Sequence, residues 1–579
     1  MRTFLRWATL IAGVLACTPI DGAAPRFYAD DPVATHDDTQ DASRTTFFEV
    51  DDDFEGVESL FMNAGDPAGN VRAVAINTVD QAPDSRWFTN RAGTVPLTPA
   101  DVGRGPNVTN GPADGPWTVV SAKSDGIMPG LVVRDRAGID WFIKFDPIGY
   151  RGMASGAEVV STRLLWALGF NVPENHVAYV RHEELVLSPT AMIRTHNRKR
   201  TMQKSDVVRV LEETARRADG AYRVLASRRI DGKPLGPFRF HGIRPDDPND
   251  YIPHEHRREL RGLGTWASWL NHVDAKSSNT FDALVTVDGR TFVKHYLIDF
   301  GSTLGSAGVR PREPFEGFEY LFEGRSTLKS ALGLGFEIKP WRHEPRFVSP
   351  EAGALPDSTN WNPDAWKPRL PNAAFLRARA DDRFWAARKV WALTPDLIAA
   401  AVDAAGYEDE ASRQAVLGFL LQRRAAIVRR YLTGINPIVD PRLDESGTLR
   451  FDNAAVDADV ARIPPGYRTL WSWFDNATGA TTPIGESRSI TCEVSAPRPI
   501  SPVPGLFVKI EISATGAAQP SWAVPVHAYF RGGDRTWSLV GFEQMPEGNP
   551  ASPAQVARNA HGPAVARRTS QGTAASSTR

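Results

Sequence analysis

The chain has 579 residues, 42% of them hydrophobic and 23% charged, with a formal net charge of -1. That composition belongs to a folded chain long enough for two or three domains, and near-neutrality removes the electrostatic reason to expect nucleic acid as a partner. Cys17 and Cys492 are the only cysteines, so stability must come from packing rather than from a disulfide framework.

Residues 1–16 set Arg2 and Arg6 ahead of a short apolar run, Leu10 to Ala16, which is too short to cross a bilayer and has the pattern of a secretory signal peptide. Val14-Leu15-Ala16-Cys17 resembles the lipobox of bacterial lipoproteins, with Val where Leu is usual. The resemblance implies lipidation of Cys17 and an exported protein anchored to a membrane of the bacterial cell envelope. A plain signal peptide with an incidental cysteine is the alternative. Residues 17–56 are acidic, without apolar periodicity, and are expected to be a solvated tether. Residues 57–115 form an extension, with a strand expected at Val71 to Ile76, that packs on the next domain.

From Trp117 the apolar residues alternate, predicting three antiparallel strands at Trp117–Ala122, Leu131–Arg134 and Ile139–Phe145. The turn from Lys123 through Gly126 to Gly130 joins the first two, and Lys144 lies on the third. Ser155 to Gly169 has helical spacing, with Glu158 in its first turn and Gly169 as a stop. A hairpin is expected from Val177–Val180 and Glu184–Ser188, then a solvated basic insertion at Asn197–Arg200, a helix at about 205–218 and a strand at Tyr222–Ile230.

His254 and His256 have no third ligand at metal spacing and read as residues leading into a helix at Leu260–Leu270, whose Leu260, Leu263, Trp266 and Trp269 form one apolar stripe. That helix delivers His272-Val-Asp274-Ala-Lys276-Ser-Ser-Asn279, and the strand Thr291–Ile298 delivers Asp299-Phe300-Gly301. Helices follow at 380–390, 395–404 and 411–431, with Trp385 and Trp391 expected in the core. After Pro437, short strands at 469–474, 489–494, 506–512 and 523–529 predict an antiparallel β region, with Trp471 and Trp473 in its core. The tail from 548 has a disordered composition.

Phosphoryl transfer needs divalent metal between phosphates, a carboxylate at the acceptor and a cation on the transferred group. Asp274, Lys276, Asn279 and Asp299 supply these groups in the order and spacing of a kinase catalytic loop followed by its metal-binding Asp-Phe-Gly. The stretch 115–435 thus resembles the protein-kinase-like superfamily, in particular its atypical bacterial branches, the HipA-like and CotH-like kinases. The resemblance implies an α+β, bilobal kinase-like domain (116–435; N-lobe 116–232, C-lobe 233–435), followed by a sandwich-like β domain (437–547). It implies ATP and Mg2+ as cofactors, Asp274 and Lys276 as catalytic residues, and Asn279 and Asp299 as metal ligands. Lys144, oriented by Glu158, would bind nucleotide phosphates, with Lys123 and Gly126 in the covering turn. The acceptor is a protein, a lipid or a small molecule. Two departures from eukaryotic kinases are the long interval from Asn279 to Asp299 and the lack of an Ala-Pro-Glu anchor. A pseudokinase or binding module, or nucleotidyl transfer on the same fold, are the alternatives.

Overall fold

The computed structural model describes residues 24–50, 57–58, 70–123, 128–195, 198–321, 341 and 344–546, and has a mixed α+β architecture. The signal segment, Cys17, Gly126 and the tail from 548 lie outside the described residues.

A short helix, α1 (Pro99–Arg104), precedes a seven-stranded sheet. Its elements are β1 (Trp117–Ala122), β2 (Gly130–Arg134), β3 (Asp140–Phe145), helix α2 (Met153–Leu168), β4 (Asn175–Val180), β5 (Leu185–Thr195), β6 (Arg198–Thr201), helix α3 (Lys204–Glu212) and β7 (Tyr222–Arg228). The strands run in the order β4-β7-β3-β2-β1-β5-β6. β1 to β3 pair antiparallel, as their alternation predicts.

The expected hairpin at 177–188 does not form, because β4 pairs with β7 while β5 runs parallel to β1. Val180 and Leu185 can be at most about 18 Å apart along the chain. Five strand spacings in a flat sheet span about 24 Å, so the sheet must curl until its edges approach. The curl wraps an apolar cluster of Val119, Leu131, Trp141, Ile143 and Val224, on which α3 seats Val207 and Leu211. Helix α3 therefore has a buried face, and it stops at Glu212, short of the expected 218.

A second sheet consists of β8 (Lys233–Gly236), β9 (Thr280–Val287) and β10 (Arg290–Leu297), in the order β10-β9-β8. β9 and β10 form a hairpin around Asp288-Gly289, both at positive φ (51° and 76°), the conformation a tight primed turn requires. Between β8 and β9 lies α4 (Arg258–Leu270), entered through a 3-10 turn at His254–His256 in which His254 Nε2 lies 2.7 Å from Asp250 Oδ2. Trp266 and Trp269 on α4 are fully buried, and each indole N–H finds a carbonyl, Ala386 O at 3.0 Å and Leu420 O at 2.8 Å.

A small hairpin, β11 (Arg346–Ser349) and β12 (Gly353–Pro356), leads to α5 (Ala373–Leu376), α6 (Ala380–Ala392), α7 (Pro395–Asp403) and α8 (Glu410–Leu432). Trp385 is buried and Trp391 half-buried against the same core.

The last part comprises β13 (Ile438–Leu443), β14 (Thr448–Asn453), a helical turn α9 (Ala454–Asp457), β15 (Gly466–Phe474), β16 (Thr481–Ser489), β17 (Glu493–Ser495), β18 (Phe507–Thr515), β19 (Val526–Gly532) and β20 (Trp537–Glu543). These build a three-stranded sheet, β13-β14-β17, and a five-stranded antiparallel sheet, β16-β15-β18-β19-β20. The single strand expected at 489–494 is the end of β16 and the start of β17, in different sheets. Trp471 is buried, and the inward residues of the large sheet are continuous with the core of α4 and α6–α8. Trp522 Nε1 donates to Thr433 O at 3.2 Å and Asn436 Nδ2 to Ile512 O at 3.1 Å, closing that junction.

Two N-terminal expectations are corrected. Val71 to Ile76 is irregular rather than a strand. Within the expected tether, residues 24–50 lie on the body: Phe27 is buried with Phe474, Phe507 and Tyr529, Ala42 N donates to Thr291 O, and Phe48 N to Leu235 O. Aromatic side chains amid the acidic ones supply enough apolar contact to hold the segment down.

Candidate active site

Three elements converge on Lys144. β3 presents it beside α2, and its Nζ lies 2.9 Å from Glu158 Oε2 and 2.8 Å from Asp299 Oδ1. Glu158 is in the second turn of α2, because the helix begins at Met153, before Ser155. The helix starts earlier because Asp146, two residues past Lys144, accepts hydrogen bonds from Gly152 N, Ala154 N, Ser155 N and Ser155 Oγ. A carboxylate there satisfies free N–H groups and complements the helix dipole. It also fixes the strand carrying Lys144 against the helix carrying Glu158. At the other end, Gly169 stops α2 at φ +133°, where a Cβ would lie 2.3 Å from the Phe88 ring.

The electrostatics follow from burial. Glu158 is 2% exposed, and burial raises its pKa against the pull of Lys144. Lys144 is also buried, which alone would lower its pKa, but Asp299 and Glu158 outweigh burial and raise it. Asp299 has its side chain 38% exposed; what burial it has raises its pKa, yet Lys144 first, and Lys123 among smaller contributions, bring it below the usual carboxylate range. Lys123 is thus electrostatically within reach of the site.

The loop after α4 is held from several sides. Asn271 ends the helix at φ +51°, its Nδ2 donates to Leu304 O, and its Oδ1 accepts from Trp366 Nε1. Asn279 Nδ2 donates to Asp274 O at 2.8 Å and to Asp274 Oδ2 at 3.1 Å, while Lys276 N donates to Asp274 O at 3.0 Å. Asp274 and Asn279 are therefore in direct contact, and the Asn279 Oδ1 atom is left for another partner.

The loop meets the Asp299 segment through an edge-on contact of the His272 and Phe300 rings, with centroids 5.7 Å apart. Ile298 N also donates to Asn279 O at 3.0 Å. Burial lowers the His272 pKa to about 4, with Arg312 adding to the effect. Asp299 sits at φ +62°, a conformation uncommon for a residue with a side chain and enriched at functional sites. Beyond it, Ser161 Oγ and Thr303 Oγ1 are 2.7 Å apart, tying the segment back to α2. A Cβ on Gly301 would lie 3.3 Å from Glu158 Oε2 and 3.4 Å from Met128 Sδ, so the far side of the 123–130 turn also reaches this point.

The structure thus brings together Lys144, Glu158 and Asp299, and separately Asp274 with Asn279, with the two groups joined through His272, Phe300 and the Ile298–Asn279 bond. Lys276 closes the loop through its backbone, and Gly126 and Cys17 are outside the described residues. Sequence reasoning missed Asp146, Asn271 and Arg312. The buried Arg312 donates Nε to Leu304 O and Nη2 to Ser302 O and Ser306 O, holding the turn after Asp299. No spacing reveals what they do, since Asp146 precedes its helix by too many residues for an ordinary cap and the hydrogen bonds of Arg312 all go to backbone carbonyls, its side-chain partner Glu316 lying 3.8 Å away.

The donor set suits a hard cation held jointly with phosphates. Asp299 offers a partly exposed carboxylate and Asn279 an amide oxygen, and oxygen donors with open positions are what magnesium takes. Among the described residues, no group of three or more His, Cys, Asp or Glu side chains is placed to hold a metal by itself.

No family model matches the chain, and no curated protein matches it. Among solved structures, the proinflammatory kinase CtkA of Helicobacter pylori is matched over 52% of this chain and 90% of that one, at 11% identity and a TM-score of 0.26. A likeness at that level carries no argument about this chain.

Proposed function

We propose that this chain is a kinase-like phosphotransferase using a magnesium-bound nucleotide. The observation that carries the reading is the position of Lys144, whose ammonium bridges a helix carboxylate, Glu158, and the Asp299 of Asp-Phe-Gly, while Asp274 and Asn279 stand together on the neighbouring loop. The separate apolar clusters of the curled sheet and of the helical body support a bilobal arrangement, with the site between them.

In this reading Lys144 binds nucleotide phosphate, and Glu158 holds the lysine in place. Asp299 and Asn279 Oδ1 hold the metal, which when bound offsets the negative charge of the phosphates. Asp274 orients and deprotonates the acceptor hydroxyl, and Lys276 stabilises the charge on the group in transit. Asp299 pairs with Lys144 directly, so nucleotide binding must exchange that contact for one through phosphate.

The proposal includes export and anchoring at the cell envelope through Cys17, supported by the segment 1–16 and the Val14–Cys17 motif. Radiolabelled palmitate uptake by wild type but not by Cys17→Ala tests this part. For the activity, purified protein is heated with and without Mg-ATP. A rise in the unfolding midpoint that needs both magnesium and nucleotide is expected, and a wild-type protein that shows none overturns the reading. Label transfer to an envelope extract, absent in Asp274→Ala, then tests turnover.

A further inference from the structure

A cavity of about 240 Å3 lies between the end of β7, the connection from α2 to β4, and β10. It contains none of the residues assigned above. Its walls carry aromatic rings, four cations (Arg91, Arg228, Arg229 and Lys294) and two acids (Glu174 and Asp231), and the cations differ in what they have to pair with. Arg228 has Glu174 at 3.8 Å and Asp231 at 3.5 Å, and Arg229 has Asp140 at 3.5 Å. Arg91 and Lys294 have no such partner among the described residues. The Arg91 guanidinium lies 4.8 Å over the Trp166 ring and donates to Trp166 O at 2.8 Å. The Lys294 ammonium makes no hydrogen bond or ion pair among the described residues and lies 5.4 Å over the Tyr296 ring.

Half-buried cations normally acquire carboxylate partners. Burial first, then the like charges of Arg86 and Arg91, lower the Lys294 pKa, so the site is one where added negative charge is favoured. Both acids of the lining face Arg228, so the four cations outnumber them by two, and Arg91 and Lys294, neither in an ion pair, match a dianion better than a carboxylate; a phosphate monoester carries nearly two charges at neutral pH. The Trp166 and Tyr296 rings add flat apolar surface beside the charges.

We propose that this cavity binds a small aryl or heteroaryl phosphate, with Lys294 and Arg91 on the phosphate and the Trp166 and Tyr296 rings against its apolar body. The proposal does not rest on the phosphotransferase reading, because the site stands apart from Lys144 and Asp299. Asn171 links it to the strand that leads to Asp299: its Nδ2 donates to Arg86 O and His295 O, and its backbone carbonyl accepts from Leu297 N.

Calorimetric titration of the full chain with phenyl phosphate, inorganic phosphate and benzoate tests it. Phenyl phosphate is expected to bind saturably and more tightly than either of the others. Lys294→Met should weaken it about tenfold or more, the usual effect of removing a charge-assisted hydrogen bond. Val108, 66% exposed at the cavity mouth, gives a second variant that leaves the core untouched, and Val108→Glu should weaken binding by charge repulsion. The Lys144→Met/Asp299→Asn variant should bind phenyl phosphate as wild type does. Absence of saturable binding up to about 10 mM, a free energy too small for a built site, overturns the proposal. So does equal affinity in both Lys294→Met and Val108→Glu, and so does loss of binding in Lys144→Met/Asp299→Asn, which would assign the phosphate to the other site.

Discussion

Arg223 Nε donates to Ser155 Oγ at 2.9 Å, joining β7 to the first turn of the helix that carries Glu158. The same guanidinium donates Nη1 to Gly406 O at 2.6 Å and Nη2 to Ala405 O at 2.5 Å, just beyond α7, and lies 3.8 Å from the Asp146 carboxylate. One buried side chain therefore connects the curled sheet, the Glu158 helix and the helical body. The orientation of Glu158 is a property of the whole fold as well as of its ion pair with Lys144.

Arg223→Met removes these bonds while keeping most of the apolar stem. Leaving buried acceptors and the Asp146 carboxylate without their cation should cost about 3 kcal/mol. Urea unfolding measures this as a lower midpoint at unchanged slope.

Asp299→Ala leaves Lys144 paired with Glu158, so the free protein should unfold close to the wild-type midpoint. Wild type with magnesium nucleotide at a hundred times its dissociation constant should gain about 2.7 kcal/mol. The variant should gain almost none, in a thermal scan with and without Mg-ATP. A variant that keeps the full gain would remove Asp299 from the metal site.

His272 sets an acid limit. Burial holds the folded ring near pKa 4, below its ordinary 6.5, so between these values the unfolded chain binds a proton that the folded one does not. Its contribution to stability is full above about pH 6.5 and is lost as pH falls towards 4, amounting to roughly 3 kcal/mol. His272→Asn should flatten the stability profile over that window in denaturant unfolding at a series of pH values. Parallel profiles for variant and wild type would show that His272 does not carry the effect.

Phe27, only 4% exposed, holds residues 24–50 to the five-stranded sheet. Phe27→Ala should cost about 3 kcal/mol or more through lost burial and the cavity it leaves. Hydrogen exchange should then rise at Phe27 N and Arg26 N, which donate to Asn476 in the intact contact.

Much of the candidate site was legible because its residues stand at short, fixed spacings on elements with strong periodicity. Asp274 and Asn279 are five residues apart on one loop, and Asp299 follows a strand whose hairpin turn, Asp288-Gly289, has its own signature. Lys144 and Glu158 lay on a strand and a helix that period-two and helical spacing both predicted, so their pairing needed only those two elements to pack. Helices α6 to α8 were legible for the same reason.

Other features depended on partners that no local pattern names. β4 and β5 read as neighbours because they are adjacent in sequence, yet curling of the sheet gives each a different partner. The acidic composition of 24–50 concealed Phe27, whose contacts are more than four hundred residues away.

The sequence by itself determined which residues are the candidates for the chemistry and which segments become helices and the first three strands, because period and spacing act over a few residues. Only the tertiary structure decided that Asp146 caps α2, that Arg223 joins that helix to the body, and that Arg91 and Lys294 share a cavity with neither of them in an ion pair. The physical reason is that these groups act on backbone carbonyls, backbone N–H groups and rings brought near by folding, and every residue type can offer a carbonyl.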